Sequence, residues 1–303
     1  MQQTNNHLKA RIKEVNNFLK NHTKPPEDLC ELFFQELELS KMLIPSILKD
    51  NMITFDHLES DDGLEILPLY TDEDEYHGDK DLLANLFSYY ADIVRDCQFK
   101  GIVINPDSDE FFIGNRIVKN FEEDFSDIEA VDDAYGPVEL KQAADNLENR
   151  DLTDFIRDDS NFNNFDGLLK ILEGKVLINV VSSRRDLSEF AREGILTTLE
   201  VGGFDLSVKR TGKEKFGILF TNLEAIRLTC DTNAGVNYYY QITALEKILF
   251  FIITNDLDGL VINPYLDDYF VPRNVLLDMY FNHPEIVKNS KFIDGMFFSF
   301  VLD

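Results

Sequence analysis

An internal repeat constrains this chain more than any other feature. Gly101-Ile102-Val103-Ile104-Asn105-Pro106 recurs as Gly259-Leu260-Val261-Ile262-Asn263-Pro264, 158 positions later. The match runs on without a gap, Asp109-Glu110-Phe111-Phe112-Ile113 against Asp267-Asp268-Tyr269-Phe270-Val271. Upstream, Leu67-Pro68-Leu69-Tyr70-Thr71-Asp72 resembles Gly217-Ile218-Leu219-Phe220-Thr221-Asn222 at an offset of 150. Further upstream, Ser40-Lys41-Met42-Leu43-Ile44-Pro45 resembles Gly174-Lys175-Val176-Leu177-Ile178-Asn179 at an offset of 134. The widening offset places insertions between the elements of the second copy, where surface loops tolerate them. Copies of roughly 100–120 residues are domain-sized, unlike the shorter units of solenoids.

Each copy reads as helix, strands, helix, a strand ending in Asn-Pro, a short strand and a closing helix. Helical spacing marks Asp28 to Leu39 and its counterpart Phe165 to Leu172, which feed strands at Met42–Ile44 and Val176–Val181. A further strand is expected at Ile66–Tyr70 and at Gly217–Thr221. The apolar stripe Leu82, Leu86, Tyr90, Ile93, Val94 predicts a helix over Asp81–Cys97, matched by Thr243–Thr254, with Tyr238-Tyr239-Tyr240 at the start of a packed helix. The expected class is α+β: two tandem copies of a small mixed-sheet domain with helices packed on the sheet. Residues 1–25 carry Leu8, Ile12, Val15 and Leu19 and read as a basic N-terminal helix. Copy one spans 26–120, an acidic, partly helical connector 121–159, copy two 160–282. The tail, 283–303, is apolar enough for a docked terminal strand.

The strands closed by Asn105-Pro106 and Asn263-Pro264, with the earlier segments ending Tyr70-Thr71 and Phe220-Thr221, resemble the two signatures of SseB-like domains, a family named for enhanced serine sensitivity. The resemblance covers roughly 26–120 and 160–282. After Asn-Pro, where that family has a glycine, Asp107 and Tyr265 stand here. It implies an α+β domain and brings no catalytic residues with it.

The favoured reading of Asn-Pro is structural. Proline cannot donate to a ladder, and the Asn side chain can close an Asx-turn two residues on, so the pair ends a strand. The alternative is a binding loop at the strand's carboxyl end, with Asn105, Asp107, Asp109 and Glu110 in copy one and Asn263, Asp267 and Asp268 in copy two. These acids, and Asp231-Thr232-Asn233-Ala234-Gly235, lack the spacing of a calcium loop, so no metal is expected. The five histidines are scattered, and no nucleophile elbow or phosphate loop is present, so no cofactor and no catalytic residue is assigned. Cys30, Cys97 and Cys230 read as reduced packing residues.

Charge narrows the partners. The chain carries 56 acids against 29 bases, net −27, which opposes binding to nucleic acid or to an anionic membrane. Its polar start, Met1 to Asn6, gives no secretory signal, and Ile248 to Ile253 is too short to span a membrane. A cytoplasmic monomer or dimer is expected. The acidity is uneven: Asp72-Glu73-Asp74-Glu75 follows a strand of copy one, whereas Lys209, Arg210, Lys213 and Lys215 flank an expected Thr211-Gly212 hairpin in copy two, near Arg184 and Arg185. The favoured function is a non-catalytic interaction or regulatory module in which Asp72, Glu73, Asp74 and Glu75 meet a protein with a basic surface. The alternative is a small-ligand sensor or enzyme with its site where the Asn-Pro strands end.

Overall fold

The computed structural model describes residues 5–49, 52–60, 63–97, 99–119, 149–173, 175, 177–183, 186, 191–192, 195–196, 205–229, 237–243 and 245–283. The fold is α+β, and contacts divide it into two units, Met1–Ile128 with Ile253–Asp256 and Glu129–Ile252 with Leu257–Asp303. Among the described residues no helix is long and apolar enough to cross a membrane.

In the first unit, α1 (Asn6–Lys20) buries Leu8, Ile12 and Val15, one stripe at helical spacing, and α2 (Glu27–Glu38) starts after Pro26 with Glu27 and Asp28 in its first turn. There follow β1 (Lys41–Lys49), β2 (Met52–Phe55), β3 (Leu58–Glu59), β4 (Glu65–Leu69), β5 (Asp81–Leu86), α3 (Phe87–Asp96), β6 (Gly101–Ile104), β7 (Phe111–Gly114) and the short α4 (Asn115–Val118). Two sheets result, ordered β2-β1-β5 and β3-β4-β6-β7, joined by the antiparallel bridge Leu43↔Tyr70. The pair β4–β6 is parallel, Leu67 opposite Ile102 and Leu69 opposite Ile104. All four residues of β6 are buried, which explains its unbroken apolar run. Leu8 and Ile12 of α1 enter the same core as Leu67, Tyr90 and Ile102, so this helix is an integral part of the unit.

The second unit has a related order with added elements. It has α5 (Arg150–Arg157), α6 (Phe165–Leu172), β8 (Leu177–Ser183), β9 (Ala191–Arg192), β10 (Ile195–Leu196), β11 (Asp205–Leu206), β12 (Val208–Thr211) and β13 (Glu214–Leu219). Then come α7 (Leu223–Thr229), β14 (Asn237–Thr243), α8 (Leu245–Thr254), β15 (Gly259–Ile262), β16 (Tyr269–Pro272) and α9 (Arg273–Asn282). Its sheets are β11-β8-β14-β10-β9 and β12-β13-β15-β16, joined by the bridge Ile178↔Phe220. Here β13–β15 is the parallel pair, Gly217 opposite Leu260 and Leu219 opposite Ile262. A hairpin is present one residue later than expected: Thr211 pairs with Glu214, and β12 and β13 turn through Gly212-Lys213, with Gly212 at φ 65°. Gly101 and Gly259 open the two Asn-Pro strands for one reason. A Cβ at either would lie 2.3 Å from a carbonyl oxygen of the next strand, that of Ile113 or of Val271.

Four further expectations are corrected. Asp81–Cys97 is not one helix, because its first six residues pair with β1 from Lys41↔Leu86 to Ser46↔Asp81. The helix begins at Phe87, and its core stripe is Phe87, Tyr90, Ala91 and Val94. Tyr238-Tyr239-Tyr240 lies in strand β14, paired with β8, where aromatic residues fit a pleated surface. The upstream alignment is shifted by one: Tyr70 and Phe220 are counterparts, and their bridges match Leu43 to Ile178, not to Leu177. Asn179 therefore stands where Ile44 stands in the first unit. Finally, the connector's last residues form α5, whose Leu152 and Ile156 belong to the second unit's core. The rest of the connector (120–148), the tail beyond 283, Cys230, Asp231 to Gly235, Arg184 and Arg185 lie outside the described residues.

Candidate functional site

Parallel strands deliver two chain ends side by side, and both units place Thr on one and Asn-Pro on the other. In the first unit Asn105 leaves β6 at φ 48° and is buried, as is Thr71 after β4. The Thr71 N–H donates to Asn105 Oδ1 (2.9 Å), and Asn105 Nδ2 donates to Thr71 Oγ1 (3.0 Å). In the second unit the Thr221 N–H donates to Asn263 Oδ1 (3.0 Å) and Asn263 Nδ2 to Thr221 Oγ1 (3.1 Å), again with Asn at φ 48°. The amide thus spans to the neighbouring strand end, not to the backbone two residues on. A left-handed Asn turns the side chain back across the sheet, where the Thr N–H has lost its ladder partner.

A second asparagine closes the arrangement. Asn5, just before α1, donates to the carbonyls of Lys41 (2.6 Å) and Thr71 (2.7 Å). Asn149, just before α5, donates to the Thr221 carbonyl (2.8 Å). The helices therefore sit alike in both units. Lys13 pairs with Asp109 at 3.4 Å, and Arg157, the matching position on α5, pairs with Asp267 at 2.9 Å. The sequence holds this signal as Asn5-x-x-Leu8-x-x-x-Ile12 and Asn149-x-x-Leu152-x-x-x-Ile156, too sparse to stand out beside the Asn-Pro repeat.

One turn into these helices the units part. Lys9 of α1 reaches Asp72 (2.9 Å) and Glu75 (2.6 Å), and Ser108 also donates to Glu75. Burial lowers the Lys9 pKa, but the bonds to Glu75 and Asp72 outweigh it and the net shift is upward. The Lys9 ammonium and then Ser108 hold the Glu75 carboxyl below its ordinary value. Tyr70 donates to Asp107 at 3.5 Å, and burial together with that carboxylate pushes its phenol up to about 12. Of the four acids expected on one exposed face, Asp72 is buried and Glu75 is half-buried, and both are bonded internally; Glu73 and Asp74 remain exposed. Glu110 meets α1 through its carbonyl, which accepts from Asn16.

In the second unit Thr153 replaces Lys9, Asn222 replaces Asp72, Ala225 replaces Glu75 and Leu266 replaces Ser108. Thr153 and Ala225 carry no charge with which to repeat the Lys9–Glu75 ion pair, and a groove of about 470 Å³ opens there. Thr153, Thr221 and Asn263 form its polar base; Thr153 Oγ1 bonds Thr221 Oγ1 at 3.1 Å. Arg150, Thr153, Asp154 and Arg157 share one face of α5 and form one wall, while α7 contributes Glu224, Arg227 and Leu228 to the other. Asp267 is bonded to Asn263 (2.7 Å) as well as to Arg157. Asp268 pairs with Lys209, whose ammonium lies over the Tyr265 ring at 4.6 Å, so Lys209 is buried instead of projecting with Arg210 and Lys213. The loop acids are thus held as turn and ion-pair groups, and among the described residues no group of three His, Cys, Asp or Glu could hold a metal.

The described groove lining offers hydroxyl, amide, guanidinium and carboxylate groups, without His, Cys, Ser, Lys or Tyr. It can hold a polar ligand, and it presents no nucleophile paired with a base. Comparison with known proteins returned no matching family model, no matching curated protein and no matching solved structure.

Proposed function

We propose that this chain is a non-catalytic binding module built on one SseB-like scaffold used twice, with its ligand site in the second unit's groove. One observation carries the reading: the position that Lys9, Asp72 and Glu75 fill in the first unit is an open groove of about 470 Å³ in the second. That volume lies within the roughly 300–1,000 Å³ of small-molecule sites. Matching strand order in the two four-stranded sheets, matching parallel register and the twin Asn–Thr pairs support a shared scaffold. This reading keeps the favoured non-catalytic module and takes its site from the alternative, a small-ligand sensor or enzyme at the Asn-Pro strand ends.

Transplanting the first unit's residues tests it. Thr153→Lys and Asn222→Asp together should fill the groove with an ion pair, the aspartate keeping the acceptor that takes the Ala225 N–H. Ligands that raise the melting temperature of the unaltered protein in a small-molecule screen should then lose their effect. A screen whose positives act equally on the transplanted variant would sink the proposal. An acidic docking face for a basic protein in the cytoplasm is a second reading, supported by the exposure of Glu73 and Asp74.

A further inference from the structure

Taking the groove as the binding site, we infer that its ligand is a small organic oxyanion, a phosphate- or carboxylate-bearing molecule gripped by Arg227 and Arg157. The electrostatics point that way. The chain as a whole carries net −27, yet arginine is as frequent here as carboxylate: the lining holds Arg150, Arg157 and Arg227 with Asp154 and Glu224, and Asp267 pairs with Arg157. Arg157 gives its Nε to Asp267, which orients the guanidinium and leaves both η nitrogens unbonded among the described residues. Arg227 is exposed on α7 and has no ion-pair partner among the described residues. A guanidinium presents parallel donors that match the two oxygens of a carboxylate or phosphate.

The remaining wall chemistry says what the anion is attached to. A bare inorganic ion would occupy a small part of about 470 Å³. Leu223, Leu228 and Leu266 line the groove beside the arginines, and Leu228 is 66% exposed, an apolar contact awaiting an organic body. Thr153 adds a hydroxyl group to the lining, whereas the Asn222 amide is taken up by the Ala225 N–H and the Thr221 hydroxyl. The first unit runs the opposite chemistry at this position, where carboxylates of Asp72 and Glu75 hold a cation of the chain itself.

Calorimetric titration of the full chain tests the inference with three probes of similar size: glucose 6-phosphate, gluconate and glucose. The expected result is saturable binding of at least one anion and none of glucose; the anion that binds identifies the phosphate or the carboxylate source. Arg227→Gln should weaken that binding about ten- to hundredfold, the loss typical of one charge-assisted hydrogen bond, with the probe-free melting temperature unchanged. Arg157→Gln should weaken it too. Equal binding of glucose, binding of neither anion, or full affinity in both Arg variants would overturn the oxyanion assignment. The two readings fail separately. If a neutral ligand binds and the Thr153→Lys, Asn222→Asp variant, with its probe-free melting transition retained, abolishes it, the groove stands and the oxyanion falls. If an anion binds that variant unchanged, the groove itself is wrong.

Discussion

Asn105 and Asn263 each satisfy a strand end from a backbone conformation that few residues tolerate. Asn105→Ala would strand the buried Thr71 N–H and force alanine into φ 48°. The expected loss is about 2–4 kcal/mol of unfolding free energy by urea titration, from an unsatisfied buried donor plus the left-handed penalty. A loss below about 0.5 kcal/mol, the range of an indifferent surface change, would refute the clamp. Lys9 gives a pH signature. Glu75 is held below its ordinary carboxyl value of 4.5. A depressed carboxyl stabilises the fold above that unfolded value and loses the contribution as pH falls through the folded one. Lys9 is held above its ordinary 10.5, so its contribution is present below that value and fades only as pH rises past it. The stability gap between the unaltered protein and Glu75→Gln should therefore be flat near neutrality and close in acid. A gap that does not begin to narrow as pH falls below 4.5 would contradict the ion pair. The sequence singles out both asparagines by their repeat, but not their partners: Thr71 lies 34 positions from Asn105, and Lys9 lies 63 from Asp72. Runs of acids look solvated until the distant cation is known.

Strands β1 and β8 show how one position of register changes an element's chemistry. Successive strand residues face opposite sides, so the shift that pairs Leu43 with Ile178 puts Asn179 where Ile44 packs. Asn179 is 1% exposed, and neither amide atom has a hydrogen-bond partner among the described residues. Asn179→Ile should therefore stabilise the protein by about 1–2 kcal/mol, the relief of a buried unsatisfied amide, read as a higher urea midpoint. Destabilisation would show that the amide has a role this geometry lacks. At the other strand pair, Gly101→Ala and Gly259→Ala should each cost about 1–3 kcal/mol, since a methyl group must displace backbone and not a flexible side chain. The strands ending in Asn-Pro were legible because burial on both faces leaves an unbroken apolar run. Segment 81–97 was not, because Leu82 and Leu86 satisfy a helical stripe as well as a strand, and only the pairing with β1 decides.

For the whole molecule, charge and architecture separate into two kinds of acid. Glu73 and Asp74 face solvent, whereas Asp72 and Glu75 are committed to Lys9. Reversing Glu73 and Asp74 to Lys should change stability by less than about 1 kcal/mol, as exposed charges do, and reversing Asp72 and Glu75 should destabilise clearly more. Thermal melts of the two double variants check this; equal effects would contradict the division. The same division has a numerical consequence for binding. A chain with two like scaffolds would ordinarily be expected to take two ligands and to show some interplay between them. Here α1 delivers a permanent occupant to one scaffold, so titration should saturate at a single equivalent per chain, with a Hill slope of one. Lys9→Thr is then the substitution from which a second, weaker equivalent could begin to emerge.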